Sequence, residues 1–253
     1  MKIVFLGTGT SQGVPVIACQ CAVCQSEDAR DKRLRSSVWV CRGEQQFVID
    51  TGPDFRQQML REQVTHLDFV LLTHGHKDHI AGLDDIRAFN HIQRQPMDIY
   101  ADELTCDSVM REFYYVFLKN KYPGIPQLSL HVIEDKEFTV NNINICPIKL
   151  MHCHLPILGF RIDNFAYITD ASHIEETELN KLKSLDVLVI NALRKEKHYS
   201  HFNLDEAVAI ATYLQPRHTY FTHISHYMGL HGECSKTLPA AMTLAYDGMT
   251  IEL

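Results

Sequence analysis

The sequence has few of the features that mark membrane, repeat or nucleic-acid-binding proteins. No apolar run in its 253 residues approaches the roughly 18 residues that a membrane-spanning helix needs. The N-terminal apolar stretch is too short for a signal-peptide core, so we expect a cytoplasmic protein with no membrane partner. Acidic residues outnumber basic ones, 31 to 24, and the net charge of −7 argues against a broad nucleic-acid surface. With no repeat, low-complexity tract or linker, we predict one domain over residues 1–253.

Hydrophobic periodicity predicts several strands in the first half and an alternation of strands and helices in the second. Residues 102–120 are expected to form one helix that stops before Pro123-Gly124. Asn203 is predicted to cap a helix whose apolar residues recur with helical spacing. The pattern indicates sheet layers with helices packed outside, in an α/β arrangement.

Histidine and cysteine are plentiful, with 15 and 8 residues. Clustered Cys and His in a reducing compartment bind metals more often than they form disulfides. The densest cluster, Thr73-His74-Gly75-His76-Lys77-Asp78-His79, follows an apolar strand at residues 69–72. Core packing does not explain three imidazoles and a carboxylate at this spacing, because each would carry a desolvation cost. The donor types suit zinc, manganese or iron, so we predict a metal site.

The pattern His-x-His-x-Asp-His after an apolar strand resembles the signature of the metallo-β-lactamase superfamily. The resemblance implies an αββα four-layer sandwich with a dinuclear metal site at one edge of its two sheets. It implies that Asp50 orients a ligand histidine and that Asp78 is a catalytic residue as well as a ligand. The implied ligands are His74, His76 and His152 for one metal, Asp78, His79 and His223 for the other, and Asp170 as a bridge.

One ligand has a competitor two residues further along the chain. His152 and His154 both precede Gly159-Phe160 at a distance that fits the family pattern. We favour His152 because it comes directly out of the apolar strand predicted at residues 145–150. His154 is the alternative, and its simpler interpretation is a solvated loop residue.

Two further segments indicate which branch of the superfamily the sequence resembles. The opening Leu6-Gly7-Thr8-Gly9-Thr10-Ser11-Gln12-Gly13-Val14-Pro15 resembles that of the phosphodiesterase branch, which includes tRNA 3′-processing endonucleases. It is not a P-loop, because the Gly-Lys-Ser/Thr ending is missing. We expect exposed backbone amides in this turn to face an anionic substrate.

The second segment is a cysteine cluster, Cys19-Gln20-Cys21-Ala22-Val23-Cys24, which predicts a zinc site that needs a fourth ligand. With the histidine motif, it resembles the PhnP family of accessory phosphodiesterases from carbon–phosphorus lyase pathways. That resemblance implies a structural zinc held by Cys19, Cys21, Cys24 and His226. The remaining cysteines, at positions 41, 106, 146, 153 and 234, are expected to be small core residues. Proteins of the pyrroloquinoline-quinone pathway share the cluster but typically lack the intact histidine motif, so we rank that alternative lower.

The expected reaction is hydrolysis of small cyclic phosphodiesters, of the ribosyl cyclic phosphate or 2′,3′-cyclic nucleotide type. Two divalent metals, manganese or zinc, lower the pKa of a water, and the resulting hydroxide attacks phosphorus. His201 matches a histidine that the phosphodiesterase branch places beside the bound phosphate, where it protonates the leaving oxygen or binds phosphate. A surface-loop role is the alternative for His201 and the favoured one for His198. Residues 113–128, with three tyrosines and Lys119 and Lys121, form either a substrate lid or core.

Three rival functions stay open. A tRNA 3′ endonuclease would carry a Gly/Pro- and Lys-rich arm, which we do not find. A thioester, lactone or β-lactam hydrolase would use the same metals, but the Gly-rich opening and His201 argue against it. A non-catalytic zinc scaffold does not explain seven ligands. The family often forms dimers, so a homodimer is an expectation.

Overall fold

The computed structural model describes residues 1–120 and 122–253, and these residues form fourteen strands and seven α-helices. The strands are β1 (Lys2–Gly7), β2 (Ser37–Arg42), β3 (Gln45–Ile49), β4 (Phe69–Leu71), β5 (Met97–Ala101), β6 (Leu128–Val132), β7 (Phe138–Val140), β8 (Ile143–His152), β9 (Leu155–Ile162), β10 (Phe165–Ile168), β11 (Val187–Asn191), β12 (His218–Thr222), β13 (Met242–Leu244) and β14 (Thr250–Glu252). The α-helices are α1 (Phe55–Arg61), α2 (Lys77–Ile80), α3 (Arg87–Gln93), α4 (Glu103–Glu112), α5 (Glu176–Lys181), α6 (Leu204–Leu214) and α7 (His231–Cys234). Within residues 1–120 and 122–253, no helix combines the length and the apolar character needed to cross a membrane.

The chain divides into two compact units. The first comprises Met1–Leu6, Ser37–Glu134 and Thr250–Leu253, and the second comprises Gly7–Ser36 and Asp135–Met249. Each unit contains one seven-stranded sheet. The single domain over residues 1–253 stays a prediction.

The sheet of the first unit has the strand order β14-β1-β2-β3-β4-β5-β6. Strands β3 to β6 run parallel, whereas β1 pairs with β14 and β2 with β3 in antiparallel fashion. Apolar side chains of this sheet, such as Val48 and Val70, form one core cluster with residues of α1, α3 and α4. Because β3 and β4 are parallel and pair Ile49 with Leu71, the loops that follow them leave the sheet at the same edge.

The sheet of the second unit has the order β13-β12-β11-β10-β9-β8-β7. Strands β10 to β13 run parallel, and β7 to β10 run antiparallel. Apolar residues on α6 and on the segment around α5 pack against this sheet. Strands β10 and β12 flank β11, so the residues after them, Asp170 and His223, come to one edge.

Of two helices predicted from the sequence, one is confirmed and the other is wrong. Asn203 caps α6 through a hydrogen bond from the Glu206 amide, and the Glu206 side chain accepts from the Asn203 amide, a reciprocal capping box. The single helix predicted over residues 102–120 is wrong. Helix α4 ends at Glu112 because Phe113 has φ −113° and ψ 36°, and a 3-10 turn follows at Tyr114–Phe117.

Candidate functional site

The histidine motif of the first unit spans the loop after β4 and the first turn of α2. His74 and His79 are buried, Asp78 is partly buried and His76 is exposed. The ring centroid of His74 lies 4.6 Å from that of His76 and 4.2 Å from that of His79. Three imidazoles therefore converge within this short segment, and two of them, His74 and His79, are withdrawn from solvent.

Asp50 fixes the orientation of His79. Its Oδ2 lies 2.7 Å from His79 Nδ1, and both side chains are fully buried. The Thr73 amide and hydroxyl also donate to Asp50, at 2.8 and 2.9 Å. Burial raises the pKa of the Asp50 carboxyl, and the contacts with His79 and Thr73 oppose that rise. Since an ionised carboxylate only accepts hydrogen bonds, Nδ1 of His79 carries the proton and Nε2 carries the lone pair.

The spacing of the neighbouring donor atoms suits a divalent metal. His79 Nε2 lies 3.1 Å from Asp78 Oδ2. Two atoms bound to one metal at about 2.1 Å and at right angles lie about 3.0 Å apart. Gly75 lets the loop pack against α4, because a Cβ there would lie 2.5 Å from the Ser108 side chain. The residues present therefore fit a metal held by this loop.

The second unit gathers its own set of donors around Asp170. His223 Nε2 lies 3.1 Å from Asp170 Oδ1, and both side chains are almost fully buried. Asp170 Oδ2 accepts from the Thr169 hydroxyl at 2.6 Å. Asp170 and His223 have φ values of 60° and 55°, in the left-handed region that non-glycine residues rarely adopt. Such backbone strain concentrates at functional sites.

The structure separates the two competing histidines. His152 Nδ1 donates to the carbonyl oxygens of Asp170 and Ser200, at 2.9 and 2.8 Å, so its Nε2 carries the lone pair. His152, Asp170 and His201 have potential ligand atoms within 4.8 Å of one another. His154 is exposed. These positions favour His152, whose role as a ligand stays a prediction.

His201 lies in the same group of side chains. Its Nε2 is 3.1 Å from Asp170 Oδ1, and its side chain is only 12% exposed. The simple surface-loop interpretation of His201 is therefore wrong. His198 is partly buried in its loop and contacts His201, and its interpretation as a surface-loop residue stays a prediction.

The cysteine cluster closes around His226. The Sγ atoms of Cys19, Cys21 and Cys24 lie 3.3, 3.4 and 3.5 Å from His226 Nδ1. A tetrahedral zinc with Zn–S near 2.3 Å and Zn–N near 2.0 Å has ligand edges of about 3.5 Å. A hydrogen bond from the Cys24 amide and contacts with neighbouring side chains lower the pKa of Cys21 to about 6, whereas burial raises that of Cys24 to about 11. The four residues fit a zinc ion, and their role as ligands stays a prediction.

The five other cysteines are free thiols outside this cluster. Cys106 and Cys234 are buried, as expected for small core residues. Cys41, Cys146 and Cys153 are only partly buried.

Three backbone amides of the Gly-rich turn are hydrogen-bonded within the fold, and for the rest of the turn the expected contact with an anionic substrate stays a prediction. The amides of Gly9, Thr10 and Gly13 donate to backbone carbonyl oxygens at 2.7, 3.2 and 2.7 Å. A Cβ on Gly9 would lie 2.8 Å from the carbonyl oxygen of Arg33, so the glycine permits a close approach of two backbones. These three amides stabilise the fold and are not available to an anionic substrate.

The segment 113–128 presents two of its tyrosines to solvent. Tyr114 and Tyr122 are 64% and 71% exposed. Tyr115 instead donates its hydroxyl proton to Asp84. Lys119 is exposed, and Lys121 lies outside the described residues. The lid over residues 113–128 stays a prediction.

Comparison with known proteins decides the family. The model of the beta-lactamase superfamily domain matches residues 45–224. The crystal structure of a diphosphatase from the PhnP family is 40% identical, with a TM-score of 0.93, and the match covers 100% of this chain and 97% of that one. This chain belongs to the metallo-β-lactamase superfamily and, within it, to the PhnP family. The predicted α/β fold class is confirmed.

Two curated relatives are longer than this chain. The octanoyltransferase of Porphyromonas gingivalis is 40% identical over 252 residues, which are 98% of this chain and 51% of that protein. The coenzyme PQQ synthesis protein B of Methylorubrum extorquens is 32% identical over 158 residues, which are 51% of this chain and 50% of that protein. The chain spans about half the length of these curated relatives.

Sequence reasoning missed two features of the site. The positive φ values of Asp50, Asp170 and His223 have no signature in residue type, because Asp and His also occur in ordinary loops. The contact of His198 with His201 has a weak signal, since two histidines three residues apart before a helix cap can face each other.

Proposed function

We propose that this protein is a metal-dependent phosphodiesterase that hydrolyses small cyclic phosphodiesters of the ribosyl cyclic phosphate or 2′,3′-cyclic nucleotide type. The observation that carries the proposal is the 3.1 Å contact between His201 Nε2 and Asp170 Oδ1. A protonated nitrogen at this position would lie beside a predicted metal ligand, where a leaving oxygen needs a proton. Family membership supports the hydrolytic chemistry, and the substrate class is our inference.

The proposed metal site uses the seven ligands that the family resemblance implies. We assign His74, His76 and His152 to one metal, Asp78, His79 and His223 to the other, and Asp170 to both. Divalent metals at such a site activate water near neutral pH and offset negative charge on phosphate oxygens. We propose manganese or zinc as the metals, because the donor types suit both.

The chain's own side chains would orient the ligands and supply a proton. Asp50 holds His79, and two backbone carbonyls hold His152, so each presents Nε2. His201 would donate the Nε2 proton to the leaving alkoxide. A ribose alkoxide is a poor leaving group, so this proton matters most for unactivated diesters.

A second candidate is hydrolysis of a diphosphate, because the 40% identical structure is a diphosphatase of the PhnP family. A departing phosphate carries its negative charge at neutral pH and needs less protonation than an alkoxide. Dependence on His201 should therefore differ between the two substrate classes.

A substrate screen tests the proposal. The metal-loaded protein is assayed on 2′,3′-cyclic nucleotides, ribose cyclic phosphate, a dinucleoside diphosphate, an acyl thioester and a tRNA precursor, with Asp170→Asn as the inactive control. The proposal predicts the highest kcat/KM on the cyclic phosphates and loss of that activity in the control. Highest kcat/KM on the diphosphate would support the second candidate, and preference for thioester or tRNA would overturn both.

A further inference from the structure

His198 contacts His201 at Nδ1, the ring nitrogen that does not contact Asp170. Its Nδ1 is 3.3 Å from His201 Nδ1, and their ring centroids are 5.2 Å apart. The Ser200 hydroxyl lies 2.9 Å from His201 Nδ1 and 3.2 Å from His198 Nδ1. The side chains of His198 and Ser200 thus meet around Nδ1 of His201.

The backbone fixes which nitrogen of His198 is unprotonated. The Ser200 amide donates to His198 Nδ1 at 3.4 Å, and an amide N–H can only donate. His198 Nδ1 therefore carries a lone pair directed toward the loop. Desolvation, helped by the neighbouring His201 and Arg194, lowers the pKa of His198, which agrees with a neutral ring.

The Ser200 hydroxyl fixes the tautomer of His201. Because the Ser200 amide already donates to the lone pair of His198 Nδ1, the Ser200 hydroxyl donates to His201 Nδ1 at 2.9 Å. A neutral ring that accepts at Nδ1 carries its proton on Nε2, which is the nitrogen 3.1 Å from Asp170 Oδ1.

We propose that His198 is a positioning residue that, with Ser200, holds His201 in the orientation and tautomer that present Nε2–H to the leaving oxygen. This inference rests on the proposed function of His201 and deepens it. His198 does not touch substrate in this scheme, because its contact runs through Nδ1 of His201. The expected size of its effect is that of an outer hydrogen-bond partner, about 10–100-fold in activity.

Two substitutions separate positioning from packing. His198→Phe keeps a ring that can stack beside Tyr199, whose centroid lies 4.6 Å away, but it removes the acceptor. His198→Asn removes the ring and keeps an amide oxygen that can reach the place of Nδ1. His218→Phe is the control, since His218 is a partly buried histidine of the same unit that bonds to Thr243.

The test measures kcat and KM on a 2′,3′-cyclic nucleotide and on a p-nitrophenyl phosphodiester. We expect His198→Phe to lower kcat on the cyclic nucleotide by about 10–100-fold, with KM within about twofold and little loss on the p-nitrophenyl ester. His198→Asn should recover most of the loss, and His218→Phe should behave as wild type. Equal losses on both substrates, or full activity of His198→Phe, would overturn the inference.

A second measurement tests the position of His201 without an enzymatic assay. Imidazole ¹⁵N NMR of the zinc-loaded protein reports which nitrogen of His201 is protonated. We expect Nε2–H in the wild type and in His198→Asn, and a mixture of tautomers in His198→Phe. An unchanged His201 tautomer in His198→Phe would contradict the positioning role. If the protein cleaves no phosphodiester but the NMR result holds, the proposed function fails while the placement of His201 by His198 stands.

Discussion

Asp50 Oδ2 accepts a hydrogen bond from His79 Nδ1 at 2.7 Å, in a position where neither side chain touches solvent. The carboxylate is itself held by the amide and hydroxyl of Thr73, one residue before the first histidine of the motif. The strand end at Asp50 and the motif loop are thereby joined into one rigid donor set. This contact predicts how metal affinity depends on a residue that is not a ligand.

Asp50→Asn should weaken metal binding by about 10–100-fold without removing a ligand. The new amide NH₂ would replace an oxygen that accepts either from the Thr73 amide or from His79 Nδ1–H, so at least one contact becomes repulsive. Titration of the chelated protein with Mn²⁺ measures the affinity. Asp163→Asn is a matched control, because Asp163 is an exposed aspartate with a similar positive φ of 51°. Equal affinities of Asp50→Asn and wild type would show that Asp50 has no such role.

Cys21→Ser should remove a tightly held zinc and lower the stability of the fold. Thiolates are soft ligands that retain zinc under mild chelation, and structural zinc contributes directly to folding free energy. We expect a fall in Tm of about 5 °C, which corresponds to about 2 kcal/mol for a chain of this size. Metal analysis of wild type, Cys21→Ser and the control Cys41→Ser checks the site. A folded wild type that retains no zinc, with unchanged metal content in Cys21→Ser, would contradict it.

His201→Ala should keep both metals of the proposed pair, because His201 supplies no ligand in our assignment. Turnover of an unactivated cyclic phosphodiester should fall by about 10²–10⁴-fold, the usual range for a lost general acid. A p-nitrophenyl diester needs little protonation and should lose much less. Equal losses would make His201 a cation that stabilises phosphate charge. Loss of metal would make it a ligand, as its 3.1 Å contact with Asp170 also allows.

Stability should decrease as pH falls from about 6.5 to about 4, partly because of His231. Arg33 Nη2 lies 3.1 Å from His231 Nδ1, so that nitrogen accepts and the ring must be neutral. Burial, with Arg33 and Arg30 nearby, lowers the pKa of His231 to about 4, and Asp28 and Asp31 oppose this only in part.

The direction of this pH dependence follows from the number of protons that the folded and unfolded states bind. An unfolded histidine titrates near 6.5, so below that pH the unfolded state binds more protons than the folded one. The stabilisation is complete above about pH 6.5 and decreases by about 2 kcal/mol by pH 5. His231→Asn, which keeps an acceptor for Arg33, should flatten this slope in urea unfolding at pH 7 and pH 5. The same slope in both proteins would exclude His231 as its source.

The site could be predicted where its residues are close together in the sequence. Contacts between segments that are far apart in the sequence could not be predicted in this way. The histidine motif and the cysteine triad are visible because neighbouring residues share one loop. The occupied amides of Gly9 and Thr10 were not foreseeable, because their acceptors lie far along the chain, at Leu34 and Ile224. The break after α4 was missed because a helix-compatible apolar pattern continues through residues 113–118, while packing of Val116 in the core favours a tighter turn.

Metal dependence of cyclic phosphodiester hydrolysis tests the central claim most directly. The protein is stripped by mild chelation and then titrated with Mn²⁺ while kcat/KM on a 2′,3′-cyclic nucleotide is followed. We predict no turnover in the stripped protein and full recovery after two equivalents of metal, with the cysteine-bound zinc retained throughout. Undiminished turnover in the stripped protein, or no hydrolysis of the cyclic nucleotide with any metal while a diphosphate is cleaved, would contradict the claim.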